Sequence, residues 1–188
     1  MASAVAHTHL VAHTYHMDIK PSNILVNDNQ DVVLIDWEQS GATKWMRAPE
    51  IDGTLHAEEM SSPSGSSKLI YTKYSSLPPQ PNPDRKGVVD LWHEHCPKAV
   101  EKAEVYMLGK TMWMLLQQVT ESEAYKAYED DEGRISWNER AEGVPREWKD
   151  VVGDCVREDP NERPGLEGLS DEEGMLEVGE NLERTKIS

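Results

Sequence analysis

Between Val100 and Val119 the apolar residues leave no polar face. Val105, Leu108, Met112, Leu115, Leu116 and Val119 recur at the three- and four-residue spacing of a helix, while Tyr106, Met107, Trp113 and Met114 fill the other sides. A helix that is apolar all round has to be enclosed by other elements, so the chain is predicted to fold around this segment. With 188 residues, 37% of them hydrophobic, it has material for one core and not for two full domains.

What surrounds that helix is predominantly helical as well. Helices are predicted near 121–129, near 147–157 and over 162–169, and residues 2–12 have the small apolar composition of a helix end. One local exception stands out. The β-branched runs Asn23-Ile-Leu-Val26 and Asp31-Val-Val-Leu-Ile35 flank the polar stretch Asn27-Asp-Asn-Gln30, which predicts a β-hairpin over 24–35. The fold class is therefore α+β. Residues 61–90 are rich in Ser and Pro, with Ser61-Ser-Pro-Ser-Gly-Ser-Ser67 and Pro78-Pro-Gln-Pro-Asn-Pro83, and show no sustained apolar period. They form the middle of an insertion loop, about 52–97, expected to be largely without regular structure. The resulting organisation is one domain over 1–169, interrupted by this insertion, and an acidic disordered tail over 170–188.

Thirty-five acidic residues against nineteen basic ones give a formal charge of −16, which opposes nucleic-acid phosphates and anionic membrane surfaces. Neither nucleic acid nor membrane is expected as a partner. The two cysteines, Cys96 and Cys155, make neither a disulfide framework nor a C-x-x-C pair, which fits a reducing compartment, cytoplasmic or nuclear. No run approaches the roughly 18 apolar residues of a membrane span. His7, His9, His13 and His16 have the spacing of a zinc site, but no carboxylate or cysteine cluster accompanies them, and a helix surface is the better reading.

The chemistry concentrates around the hairpin. His16-Met-Asp-Ile-Lys-Pro-Ser-Asn23 precedes it, Asp36-Trp-Glu38 ends it, and Ala48-Pro-Glu50 follows. In this order the three segments resemble the H-R-D-L-x-x-x-N catalytic loop, the D-F-G and the A-P-E of the eukaryotic protein kinases, serine/threonine type. The likeness continues in Glu104-Val-Tyr-Met-Leu-Gly109, similar to the D-x-W-S-x-G start of that family's buried central helix, and in Asp159-Pro-Asn-Glu-Arg163-Pro164, similar to its D-P-x-x-R-P. It covers residues 1 to about 169, the carboxy-terminal, mostly helical lobe of the family's fold with its short hairpin at the catalytic cleft.

The resemblance implies ATP-dependent phosphoryl transfer to protein serine or threonine, a reaction that asks for positioning and charge neutralisation more than covalent chemistry. Asp18 is then the catalytic base and Lys20 neutralises the transferred phosphate of ATP. Asn23 and Asp36 hold Mg²⁺, a hard cation that suits oxygen ligands. Thr43 lines the substrate site, and His16, Glu50 and Arg163 are structural, with Arg163 paired to Glu50. A protein substrate or partner protein follows. Several positions depart from the pattern. Met17 replaces the arginine of H-R-D, Glu38 the D-F-G glycine and Glu104 the helix-starting aspartate, and Trp37, in place of the phenylalanine, reads as a hydrophobic plug. The segment from Glu38 to Ala48 is short, so switching by phosphorylation of an arginine-clamped loop is not expected.

Fifteen residues precede His16, too few for the glycine-rich loop and strand lysine that grip ATP in the family. The chain is therefore expected to be inactive or very weak by itself, with a separate amino-terminal lobe segment among its possible partners. Two further functions stay open. One is a pseudokinase, a binding or scaffold module without catalysis. The other is a small-molecule phosphotransferase of the aminoglycoside or choline type, because Ile35-Asp-Trp-Glu38 is similar to that family's second motif. Lys20-Pro21, Ala48-Pro-Glu50 and Arg163-Pro164 argue against the latter.

Overall fold

The computed structural model describes residues 2–37, 42–61, 65, 67–76, 85–130 and 135–170. The fold is α+β, with six α-helices and two two-stranded antiparallel sheets among these residues. Helix α1 spans Ala2–Leu10, strands β1 and β2 span Ile24–Val26 and Val32–Leu34, and β3 and β4 span Leu55–Ser61 and Ser67–Lys73. Then come α2 (Arg85–His95), α3 (Pro97–Gln117), α4 (Glu121–Asp130), α5 (Arg146–Cys155) and α6 (Leu166–Ser170). The expectation of a disordered tail over 170–188 falls outside the described residues, Ser170 apart.

Helix α3 is the axis of the molecule. Fifteen of its 21 residues are buried. Pro97 opens it, where a missing N–H costs nothing, and Gln118 closes it in the left-handed conformation (φ 54°) with its N–H returned to the Leu115 and Met114 carbonyls. Helix α5 crosses it at Gly109, where a Cβ would stand 2.5 Å from Cβ of Cys155 and 2.9 Å from Val156. Only glycine allows that approach. The largest core gathers Val5, Ile19, Val88, Trp92, Val105, Met107, Leu108 and Leu166 from α1, the loop before β1, α2, α3 and α6. A smaller one, of Met46, Trp113, Met114, Ala124 and Val152, lies towards the other end of α3.

The hairpin expected over 24–35 forms, with Ile24 opposite Leu34, Leu25 opposite Val33 and Val26 opposite Val32. Helices near 121–129 and 147–157 form as α4 and α5. The stretch 162–169 divides into a single 3-10 turn at Pro160–Glu162 and the short α6.

The insertion of about 52–97 differs from its expectation. Where it is described it is not a loop without regular structure: β3 and β4 pair from Leu55 opposite Lys73 to Ser61 opposite Ser67, and α2 follows, while residues 62–64, 66 and 77–84, with the proline-rich run 78–83, lie outside the described residues. The reason is tertiary. Leu69 of β4 donates its N–H to Oδ1 of Asn161 at 2.7 Å and accepts from the same amide's nitrogen at 3.1 Å, so a side chain 92 residues away completes the strand's outer edge. Helix α2 buries Val88, Val89 and Trp92, an i, i+1, i+4 stripe that the sequence carried but that its short length hid. Among the described residues no helix is long and apolar enough to cross a membrane.

Candidate functional site

The loop between α1 and β1 is anchored from below by Glu104, on the second turn of α3. This carboxylate is fully buried. Its Oε1 accepts the backbone N–H of His16 at 2.6 Å and that of Met17, and its Oε2 lies 2.6 Å from Nε2 of His9 on α1. Two parallel N–H donors to one oxygen require the chain to turn sharply, and Met17 does so at φ 58°, in the left-handed region that costs a non-glycine residue energy. The Met17 side chain, standing where the resemblance expects an arginine, is buried in the core.

His16 then ties the loop to the hairpin. Its Nε2 is 2.8 Å from the Ile35 carbonyl, which can only accept, so Nε2 carries the proton. Its Nδ1 accepts the N–H of Asp18 at 3.2 Å, so that nitrogen is bare and the imidazole is neutral. Ile35 in turn donates its N–H to the Asn23 carbonyl at 2.9 Å. The end of β2 is thus fixed to both ends of the loop, and Asp36 is the next residue along, exposed and left-handed at φ 65°. Trp37 corrects another expectation. Its indole is 43% exposed and is no core plug; it donates Nε1–H to the Leu34 carbonyl at 3.0 Å and meets the His16 ring edge-on at 4.7 Å.

Asp18, at 3% exposure, sits at the centre of this frame. Its Oδ2 accepts from Nζ of Lys20 at 2.7 Å and from the amide nitrogen of Asn23 at 3.2 Å, and that same amide nitrogen donates to the Asp18 carbonyl at 2.8 Å. The Asn23 amide is thereby oriented with its oxygen turned away from these bonds. Oδ1 of Asp18 is buried and has no hydrogen-bond partner. A buried acceptor without a protein partner is costly unless water or a ligand meets it, and such an atom asks for an explanation. From α3, Thr111 adds a bond from its hydroxyl to the Ile19 carbonyl at 3.1 Å.

The segment after the hairpin is joined to the loop where Ala42 donates its N–H to the Met17 carbonyl at 2.8 Å. Thr43 begins a turn, its carbonyl accepting from Met46 and Arg47; its side chain is exposed and joins none of the bonds around Asp18. Glu50 is buried against Arg163, which faces it with two N–H groups at 2.6 and 3.0 Å. The remaining three guanidinium protons go to the carbonyls of Lys102, Arg157 and Glu158, so all five donors are engaged. The Tyr106 ring packs on the guanidinium at 4.8 Å.

The structure therefore brings Asp18, Lys20 and Asn23 into contact and ties Ile35, the residue before Asp36, to both ends of the loop, while the Thr43 side chain joins none of these bonds. The histidines of the zinc spacing do not gather. Among the described residues no three His, Cys, Asp or Glu side chains are grouped so as to hold a metal ion.

Sequence reasoning missed His9 as a partner of Glu104. It missed Lys110 as well, a buried ammonium on α3 that donates to the Trp45 carbonyl under the Tyr106 and Tyr128 rings, at 5.3 and 4.6 Å from their centres. Burial pushes its pKa down to about 8. A lysine flanked by Leu108, Met112, Trp113 and Met114 in the most apolar part of α3 was the available signal. No family model matches the chain, and no curated protein matches it closely enough to count as a relative.

Proposed function

We propose that residues 16–50 together with α3 form a protein-kinase-like phosphotransfer site, taking ATP and magnesium and acting on protein serine or threonine. The observation that carries this reading is Asp18, an almost fully buried carboxylate with one oxygen held by Lys20 and Asn23 and the other without a partner. A general base has to be held in place and still have an acceptor free for the substrate's proton. In this reading Oδ1 of Asp18 accepts that proton as the hydroxyl attacks, and Lys20 neutralises charge on the transferred phosphate. Thr43 borders the approaching substrate.

The oxygens of Asn23 and Asp36 suit a hard divalent cation. The nitrogen of the Asn23 amide is engaged by Asp18, which leaves its oxygen for a cation, so the two residues would hold magnesium, whose chemistry is to neutralise the phosphates of the bound nucleotide. The turn from Met17 to Asp18 is set by Glu104 and His16, which hold the base in place through the backbone.

One observation favours a binding module without catalysis. Nζ of Lys20 is 2.7 Å from Asp18, so the charge that would meet a phosphate is taken up by the base itself. The experiment that separates the readings is transfer of radiolabelled γ-phosphate from ATP to a panel of protein substrates, beside calorimetric binding of Mg-ATP. Transfer abolished by both Asp18→Asn and Asp36→Asn supports the phosphotransfer site. Little or no transfer is expected of the chain alone, so the assay is repeated with an amino-terminal ATP-gripping lobe fused to Met1. Magnesium-dependent nucleotide binding without transfer in the fusion supports the binding module. Absence of both in the fusion, or transfer to choline or an aminoglycoside in place of protein, overturns the proposal.

A further inference from the structure

The β1–β2 hairpin carries apolar side chains on both faces: Leu34, with Ile24 beside it, packs on the core, while the residues nearer the turn are open to solvent. Leu25, Val26, Val32 and Val33 are between 42% and 65% exposed, and Trp37 beyond them also exposes its ring. The register sets Leu25 against Val33 and Val26 against Val32, neighbouring pairs whose side chains point to opposite faces of the ribbon. Strands that are apolar without alternation are the kind that other elements cover on both faces. Exposed apolar side chains rimmed by polar groups mark a place of contact with something else.

The rim decides what that partner is. From Pro21 to Trp37 the charged residues are Asp28, Asp31 and Asp36, with no Lys, Arg or His among them, and all three are exposed. A second copy of this chain would set the same three carboxylates, and a formal charge of −16, against their like. An anionic lipid surface is repelled in the same way. We propose that the β1–β2 hairpin is the docking surface for a partner polypeptide segment that is both apolar and basic. Its aliphatic side chains cover Leu25 with Val33 on one face, and its Lys or Arg residues meet Asp28 and Asp31. This surface stands independently of the phosphotransfer reading, since nothing in it depends on ATP.

The test uses the full chain and a short synthetic peptide alternating leucine and lysine, with a leucine–glutamate peptide as control. Hydrogen–deuterium exchange gives the footprint and fluorescence anisotropy the affinity. The expected result is protection confined to residues 24–37, binding that weakens as salt rises, and a loss of about tenfold in affinity with Val33→Ser. Because Val33→Ser could loosen the hairpin itself, Asp28→Asn is measured in parallel. It leaves the apolar surface whole and is expected to weaken binding and flatten its salt dependence. Several outcomes overturn the proposal: protection elsewhere on the acidic surface, equal binding of the glutamate peptide, binding to anionic vesicles, or a concentration-dependent dimer in sedimentation that Val33→Ser dissolves.

Discussion

Arg163 grips Glu50 with two parallel hydrogen bonds, 2.6 Å to Oε1 and 3.0 Å to Oε2, across 113 residues of sequence. Both side chains are buried, so the pair joins the segment after the hairpin to the turn that precedes α6 through a contact water does not screen. Removing one partner leaves the other charge buried and alone. Arg163→Met is expected to cost about 3–5 kcal/mol in denaturant unfolding, with Glu50→Gln costing less because an amide oxygen still accepts. The double variant is expected to recover part of the loss, and strict additivity would mean that the bridge is not the source.

Glu104 is the support of the loop that carries Asp18. Replacing it with alanine strands the N–H groups of His16 and Met17 in the core, at about 1–3 kcal/mol for each unsatisfied group. Glu104→Gln keeps an acceptor for both and a donor for His9. Unfolding midpoints are expected to fall steeply for Glu104→Ala and little for Glu104→Gln. Amide exchange at residues 16 and 17 should accelerate only in the former.

The insertion hangs on Asn161. Asn161→Ala removes both bonds to Leu69, a residue almost wholly buried, and is expected to cost about 1–3 kcal/mol. The diagnostic readout is local. Exchange protection at the Leu69 amide should be lost, while the amides of α3 keep theirs.

Lys110 makes stability depend on pH in a direction opposite to that of an ordinary ion-paired lysine. Its pKa is about 8 in the folded protein, against 10.5 ordinarily, because burial disfavours the ammonium. Between those values the unfolded chain binds the additional proton, so this group makes stability rise with pH, by at most about 1.4 kcal/mol per pH unit. Lys102, also lowered by burial, acts with the same sign. Cys155, raised by burial to about 12, acts oppositely above its ordinary 9.0, and so does Tyr106 above 10.0, also raised to about 12. The difference between wild type and Lys110→Met isolates the lysine. Wild type is expected to gain on the variant from pH 8 upward, and parallel curves would show that Lys110 titrates normally.

What the sequence determined by itself were the features whose cause is local. The β1–β2 hairpin needs only two β-branched runs and a polar turn between them. The enclosure of α3 follows from apolar residues on every side of one helix. The order of Asp18, Asn23, Asp36, Glu50 and Arg163 along the chain was legible as a pattern of residue types. Only the tertiary structure decided which of those residues touch. Asp18, Lys20 and Asn23 converge because Glu104 and His16 bend the loop, and Glu104 reaches it across 87 and 88 residues of chain. The insertion escaped a reading of the sequence for the same reason, since β4 is completed by a side chain 92 residues away and α2 by the core it lands on. Propensity and periodicity act over a few neighbouring residues, whereas burial and the satisfaction of buried hydrogen bonds are settled by whatever the folded chain places alongside.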